Sequence, residues 1–186
     1  MPNPADSGAT PLAGAPDADA HDPLRAIAGR LSSPRVDMGL LAALRRFNPL
    51  SDGRHNLFEI QQVLQGAGID LSPDSRLQPR WALVVHCLAI VRGAHQARRD
   101  TGARLAELGL SEARLRQLIE ADGALLCDLL PTLARRLAAA GATLDWRPLA
   151  EMVLALDDES GQARAQRARL QIVQGYLRAS ATKASA

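Results

Sequence analysis

The sequence predicts an all-α protein, on three observations. Ala and Leu dominate the 186 residues while β-branched residues are sparse, apolar side chains recur at helical spacing, and Gly and Pro fall between the periodic runs. A chain of this length buries a real core without disulfide or metal staples, as one domain or as two small helical lobes.

The opening MPNPADSGATPLAGAPDADAHD has no periodic hydrophobes and cannot offset its ordering entropy, so residues 1–22 are expected to be a disordered acidic tail. DPLRAIAGRL follows as a first helix, with Asp22 as N-cap and Pro23 at its first position. DMGLLAALRRF places Leu40, Leu41, Leu44 and Phe47 on one face, with Arg46 pointing away and Arg45 at its side, before NPLSDG breaks the helix. HNLFEIQQVLQGAG reads as a third helix built on Leu57, Ile60 and Leu64, and IDLSPDSRLQP as a linker. RWALVVHCLAIVRGAHQA, with Trp81, Val84, Val85, Leu88 and Val91, is the most apolar run and the candidate for the central buried helix.

In the second half, Thr101 is a candidate N-cap for a turn of helix, and Ser111 caps SEARLRQLIEAD with Leu115, Leu118 and Ile119 inward. Leu126, Leu130, Leu133, Leu137 and Ala140 then form a stripe that ends at Gly141, in a helix that Pro131 should bend. At 3.6 residues per turn Arg135 lies nearly opposite Leu133, and Arg136 on the border of the stripe. Asp145 caps WRPLAEMVLALD, and a last helix is expected to turn Leu170, Val173 and Leu177 inward with Arg164, Arg167 and Arg178 on its flank.

Charge narrows the function. Of 22 basic residues, all but Lys183 are arginine, which excludes a Schiff-base or P-loop lysine from the folded region. The net charge is only +2, but the tail holds Asp6, Asp17, Asp19 and Asp22 and no basic residue. Without those four, 16 acidic side chains face 22 basic ones, and an anionic partner comes into view.

Enzyme chemistry finds little support. Cys87 and Cys127 lack metal or redox spacing and read as reduced, buried thiols. His21, His55, His86 and His95 share no ligand spacing, and although His86 adjoins Cys87, helix neighbours point about 100° apart. Asp157, Asp158 and Glu159 sit in a turn that offers no burial to perturb them. No cofactor, metal site or small-molecule substrate is expected. Without a signal peptide or a membrane-length apolar run, the expected location is the cytoplasm.

Arginine instead recurs in clusters: Arg45 and Arg46, Arg98 and Arg99, Arg114 and Arg116, Arg135 and Arg136. Its fork suits phosphate oxygens and stays charged at any cellular pH. The ordinary alternative is a solvated face in an arginine-biased composition. Of the rings, Phe47, Phe58, Trp81 and Trp146 occupy core-like positions and Tyr176 is the other, which argues against base stacking and for contact through the phosphate backbone.

SEARLRQLIEAD, LARRL and TLDWRPLAEMVLAL, in that order, together with AALRR at 42–46 and GARLAEL, resemble the small subunit of the type I-E CRISPR surveillance complex Cascade, the CasB family. The likeness spans roughly residues 36 to 178 and is weak between Asn48 and Pro79. It implies two helical bundles, 23–97 and 98–179, with 180–186 a flexible end, in a non-catalytic subunit. The implied partners are the Cascade backbone and large subunits, a second copy of the chain, and the R-loop of guide RNA and target DNA, mainly its displaced non-target strand. The resemblance, matched residue by residue, points to Arg45, Arg46, Arg104, Arg114, Arg135 and Arg136 as nucleic-acid-binding residues; local charge density adds Arg92, Arg98 and Arg99. The competing reading is a helical adaptor that turns its basic face to acidic proteins and binds no nucleic acid.

Overall fold

The computed structural model describes residues 22–47, 56–72, 75–156 and 159–184, and among these the fold is all-α. Among the described residues nine helices run in chain order: α1 (Pro23–Ser32), α2 (Met38–Arg46), α3 (Leu57–Gly66), α4 (Gln78–Ile90), α5 (Thr101–Glu107), α6 (Glu112–Glu120), α7 (Gly123–Ala139), α8 (Arg147–Leu154) and α9 (Glu159–Ala184). The breaker NPLSDG, His55 and the tail before Asp22 lie outside the described residues.

Local chemistry sets the helix starts. Asp22, Asp37 and Ser111 accept backbone N–H groups of the first turns of α1, α2 and α6. Asp145 Oδ1 accepts from Arg147 N at 2.9 Å, so it does cap α8, whose helical hydrogen bonding begins just beyond it. At α5 the cap is Asp100, not Thr101; Thr101 is buried one position later and its hydroxyl donates to the Asp145 carbonyl at 2.6 Å.

The centre is α4, buried from Trp81 through Ala89, as its all-round apolarity requires. It packs on α1, α2 and α3 from the first half of the chain and on α7 and α8 from the second. Leu31, Leu41, Leu44, Leu64, Leu105, Leu126, Leu137 and Leu149 join it in a continuous core. The chain between α4 and α5 then lies against the segment before α8. Gln96 N donates to Leu144 O, Asp145 Oδ2 accepts from Arg98 N, Trp146 Nε1 donates to Ala94 O, and His95 Nδ1 accepts from Trp146 N.

The inner face of α9 departs from the sequence expectation. Leu170 and Leu177 are about half exposed, at 54% and 53%, and Val173 is partly buried. Ala165, Ala168, Ile172 and Tyr176 face the core instead. The cause is close approach: a Cβ on Gly102 of α5 would overlap the Ile172 carbonyl oxygen, and one on Gly175 of α9 would overlap Asp100 Oδ1. Small residues let α5 and α9 touch backbone to backbone, which excludes leucine from that seam. The helix also continues to Ala184 through residues expected to form a flexible end, with Lys183 Nζ donating to Ala106 O at 2.8 Å.

Two aromatic expectations change places. Phe58 is 78% exposed on α3, and Leu57 beside it is exposed too, leaving Ile60, Val63 and Leu64 as the buried face. Tyr176 is buried, and its hydroxyl donates to Leu110 O at 2.6 Å.

Candidate nucleic-acid interface

A helix ends with carbonyl oxygens that have no partner inside it and carry the negative pole of the macrodipole. In this fold basic side chains from other helices meet several of those ends. Arg45 Nε donates to Ala89 O at the end of α4, Arg80 to Leu154 O at the end of α8, and Arg169 to Ile119 O at the end of α6. Arg136 Nη2 donates to Leu108 O and Gly109 O, just past α5. Such contacts sort the arginines by structural duty, which spacing along the sequence cannot do.

Three candidate residues converge. Arg45 and Arg46 from the last turn of α2 and Arg135 from the outer face of α7 line one cleft of about 590 Å³. Its walls are completed by Phe47, His86 of α4, and Cys127, Asp128, Pro131 and Thr132 of α7. Arg46 and Arg135 are exposed, and Arg45 is half-buried, held at Nε by Ala89 O. With Asp128 as the acidic side chain among them, the lining carries two more positive than negative charges. A cleft of similar size between α1, α2 and α3 has Arg30 and Arg35 against Asp37, a weaker positive balance.

The cleft is built by helix ends. Phe47 terminates α2 and packs edge-on against the His86 imidazole, with ring centroids 5.7 Å apart. His86 Nδ1 lies 2.7 Å from Leu44 O; because a carbonyl only accepts, Nδ1 carries the proton and Nε2 the lone pair. Burial, partly opposed by that hydrogen bond and aided by the Arg135 charge, holds the imidazole below its ordinary pKa of 6.5. Burial likewise pushes both cysteine thiols up, so neither is a ready thiolate. Pro131, inside α7, has no N–H to give the Cys127 carbonyl at the cleft wall.

The other candidates lie apart. Arg136 and Arg114 border a smaller, mainly apolar cleft of about 280 Å³ with Leu110, Gln117, Leu118, Leu129, Thr132 and Leu133. Arg104 is paired with Glu107, Nη1 to Oε2 at 2.6 Å. Arg99 Nη1 donates to Gln96 Oε1 and Thr143 Oγ1. Arg92 and Arg98 occupy left-handed turn positions, with φ of 51° and 66°, between α4 and α5. His86, Phe47 and Asp128 were not singled out from the sequence for this site; their place in the cleft depends on α2 and α7 meeting over α4. Among the described residues no cluster of His, Cys, Asp and Glu could hold a metal ion, and no helix is long and apolar enough to cross a membrane.

The family model described as CRISPR-associated protein Cse2 matches residues 40–176, from α2 into α9 and across every helix that lines the arginine cleft. The chain belongs to the Cse2 family. The match bears out the resemblance to the type I-E Cascade small subunit, and the Cse2 family is a structural one within Cascade. Comparison with curated proteins gave no match, and neither did comparison with solved structures.

Proposed function

We propose that this Cse2-family chain is a non-catalytic Cascade subunit that holds nucleic-acid phosphates, chiefly those of the displaced non-target strand, in the cleft of Arg45, Arg46 and Arg135. The supporting observation is that these three guanidinium groups, from helices far apart in sequence, line one open cleft with a positive balance. Guide RNA invading a duplex exchanges base pairs for others of similar stability, so modest backbone contacts tip the balance. Arginine forks supply such contacts without reading sequence. Phe47, Trp81, Trp146 and Tyr176 are buried, and the exposed ring, Phe58, does not line the cleft, which favours backbone contact over base stacking there. Arg92, Arg98, Arg99, Arg104, Arg114 and Arg136 are proposed as a wider basic surface. The division into bundles 23–97 and 98–179 and a cytoplasmic location belong to the same proposal.

Binding of a labelled single-stranded oligonucleotide at low salt, followed by fluorescence anisotropy, tests this. Retention by the native chain and loss in the Arg46→Ala, Arg135→Ala double variant is the expected result. A chain that ignores the oligonucleotide at low salt is instead an adaptor.

One observation favours protein contact as an added role. Leu170 and Leu177, a heptad apart on the same side of α9, are both about half exposed and form a short apolar stripe. We propose that this stripe packs against another Cascade subunit.

A further inference from the structure

His86 has one nitrogen committed and one left over. Nδ1–H is bonded to Leu44 O, while Nε2 is buried and has no hydrogen-bond partner among the described residues. The residue is 1% exposed, yet it lines the arginine cleft. A buried acceptor left unpaired is unfavourable, and one that borders a cleft is open to a proton or a ligand there.

The charges around it say which state that is. Arg45 and Arg46 come from α2, and Asp128, Cys127 and Arg135 from α7; Cys87 is its neighbour on α4. α1, α3 and α8 also pack on α4 but add no residue to the cleft lining. With the cleft empty, burial and the Arg135 guanidinium oppose a proton on Nε2, and Arg45 and Arg46 line the same cleft. With an anion bound, their field is offset, and an opposite charge within about 4–6 Å raises proton affinity by a factor of about ten to a thousand. His95, the other buried histidine among the described residues, lies near Asp22, Asp145 and Arg147 and lines no part of this cleft.

We infer that the cleft is a proton-coupled anion site, in which a nucleic-acid phosphate held by Arg45, Arg46 and Arg135 brings one proton from solvent onto His86 Nε2. The lone pair of Nε2 takes the proton, the imidazole becomes imidazolium, and no bond to phosphorus forms or breaks. The phosphodiester is fully ionised and arginine fully protonated near neutral pH, so the histidine supplies the pH dependence. The inference rests on the proposed phosphate-binding role, and it makes a separate demand on it.

Isothermal titration of the full chain with a single-stranded oligonucleotide, in two buffers of unlike ionisation heat, counts the protons. The expected result is a buffer-dependent heat equivalent to as much as one proton per chain, with affinity falling by up to about tenfold per pH unit between pH 6 and 8. His86→Gln keeps an N–H for Leu44 O but cannot gain a proton, and it should remove the buffer dependence and flatten the pH profile. Should that variant fail to fold, the imidazole resonances of the native chain, followed against pH with and without oligonucleotide, read the same event: His86 titrates at higher pH in the complex. Binding with a buffer-independent heat and an unmoved His86 titration overturns the inference while leaving the phosphate-binding role standing. No binding at all overturns both.

Discussion

Arg135 and Arg136 are adjacent on α7 and serve different clefts. Arg135 lines the cleft shared with Arg45 and Arg46, while Arg136 Nη2 donates to Leu108 O and Gly109 O beyond the end of α5. A turn of about 100° between neighbours separates a side chain that lines the arginine cleft from one whose Nη2 braces the turn after α5.

The pair therefore splits under mutation. Arg135→Ala should leave thermal stability within about 0.5 kcal/mol, as expected of an exposed side chain, and should weaken oligonucleotide binding. Arg136→Ala should cost about 1–2 kcal/mol, since it strips two carbonyls of a charged donor at a partly exposed site. Thermal denaturation of the two variants side by side checks this; equal stability losses would contradict it.

The α5–α9 seam gives a second test. Gly102→Ala drives a methyl group into the Ile172 carbonyl, and backbone cannot yield as a side chain can. The expected loss is about 3 kcal/mol, at the upper end for overpacking, or roughly 6–12 °C in Tm for a chain of this size. Gly29→Ala, where an added Cβ meets nothing within 4 Å, is the matched control and should not destabilise.

Stability should also fall with acid. Burial is the main cause holding His86 and His95 below their ordinary 6.5, so between the folded and unfolded values the unfolded chain binds more protons. Stability then rises with pH through that window, is complete above about 6.5, and is lost as pH drops below it. Tm measured at pH 7.5, 6.5 and 5.5 should be nearly level over the first interval and lower at the last. A level profile throughout would contradict the burial of both rings.

Leu170 and Leu177 carry a different prediction. Replacing both by Gln should not lower Tm, because neither is buried in the chain alone, and it should reduce co-purification with other Cascade subunits. A large loss of stability would mean that the stripe belongs to the core.

How far the sequence could be read depended on range. The caps at Asp22 and Ser111 and the burial of α4 were legible because cap chemistry and all-round apolarity act within a few residues. Phe58 and Leu170 were misplaced because apolar character was taken for burial, while the true seam of α9 is made by Gly175, Ala165 and Ala168, which carry almost no hydrophobic signal. The arginines were legible as clusters but not as roles. Whether a guanidinium meets a helix end, as Arg45, Arg80, Arg136 and Arg169 do, or an open cleft depends on which element lies across from it. Likewise, nothing in the local sequence near His86 announces that α2 and α7 close over it.

The most direct test of the phosphate cleft is the salt dependence of single-strand binding in the native chain and in the variant with Arg45, Arg46 and Arg135 all changed to Ala. Each lost phosphate contact on a single strand removes about 0.7 from the slope of log K against log salt concentration. The triple variant should therefore bind more weakly with a slope shallower by about 2. Two parallel lines would contradict the account.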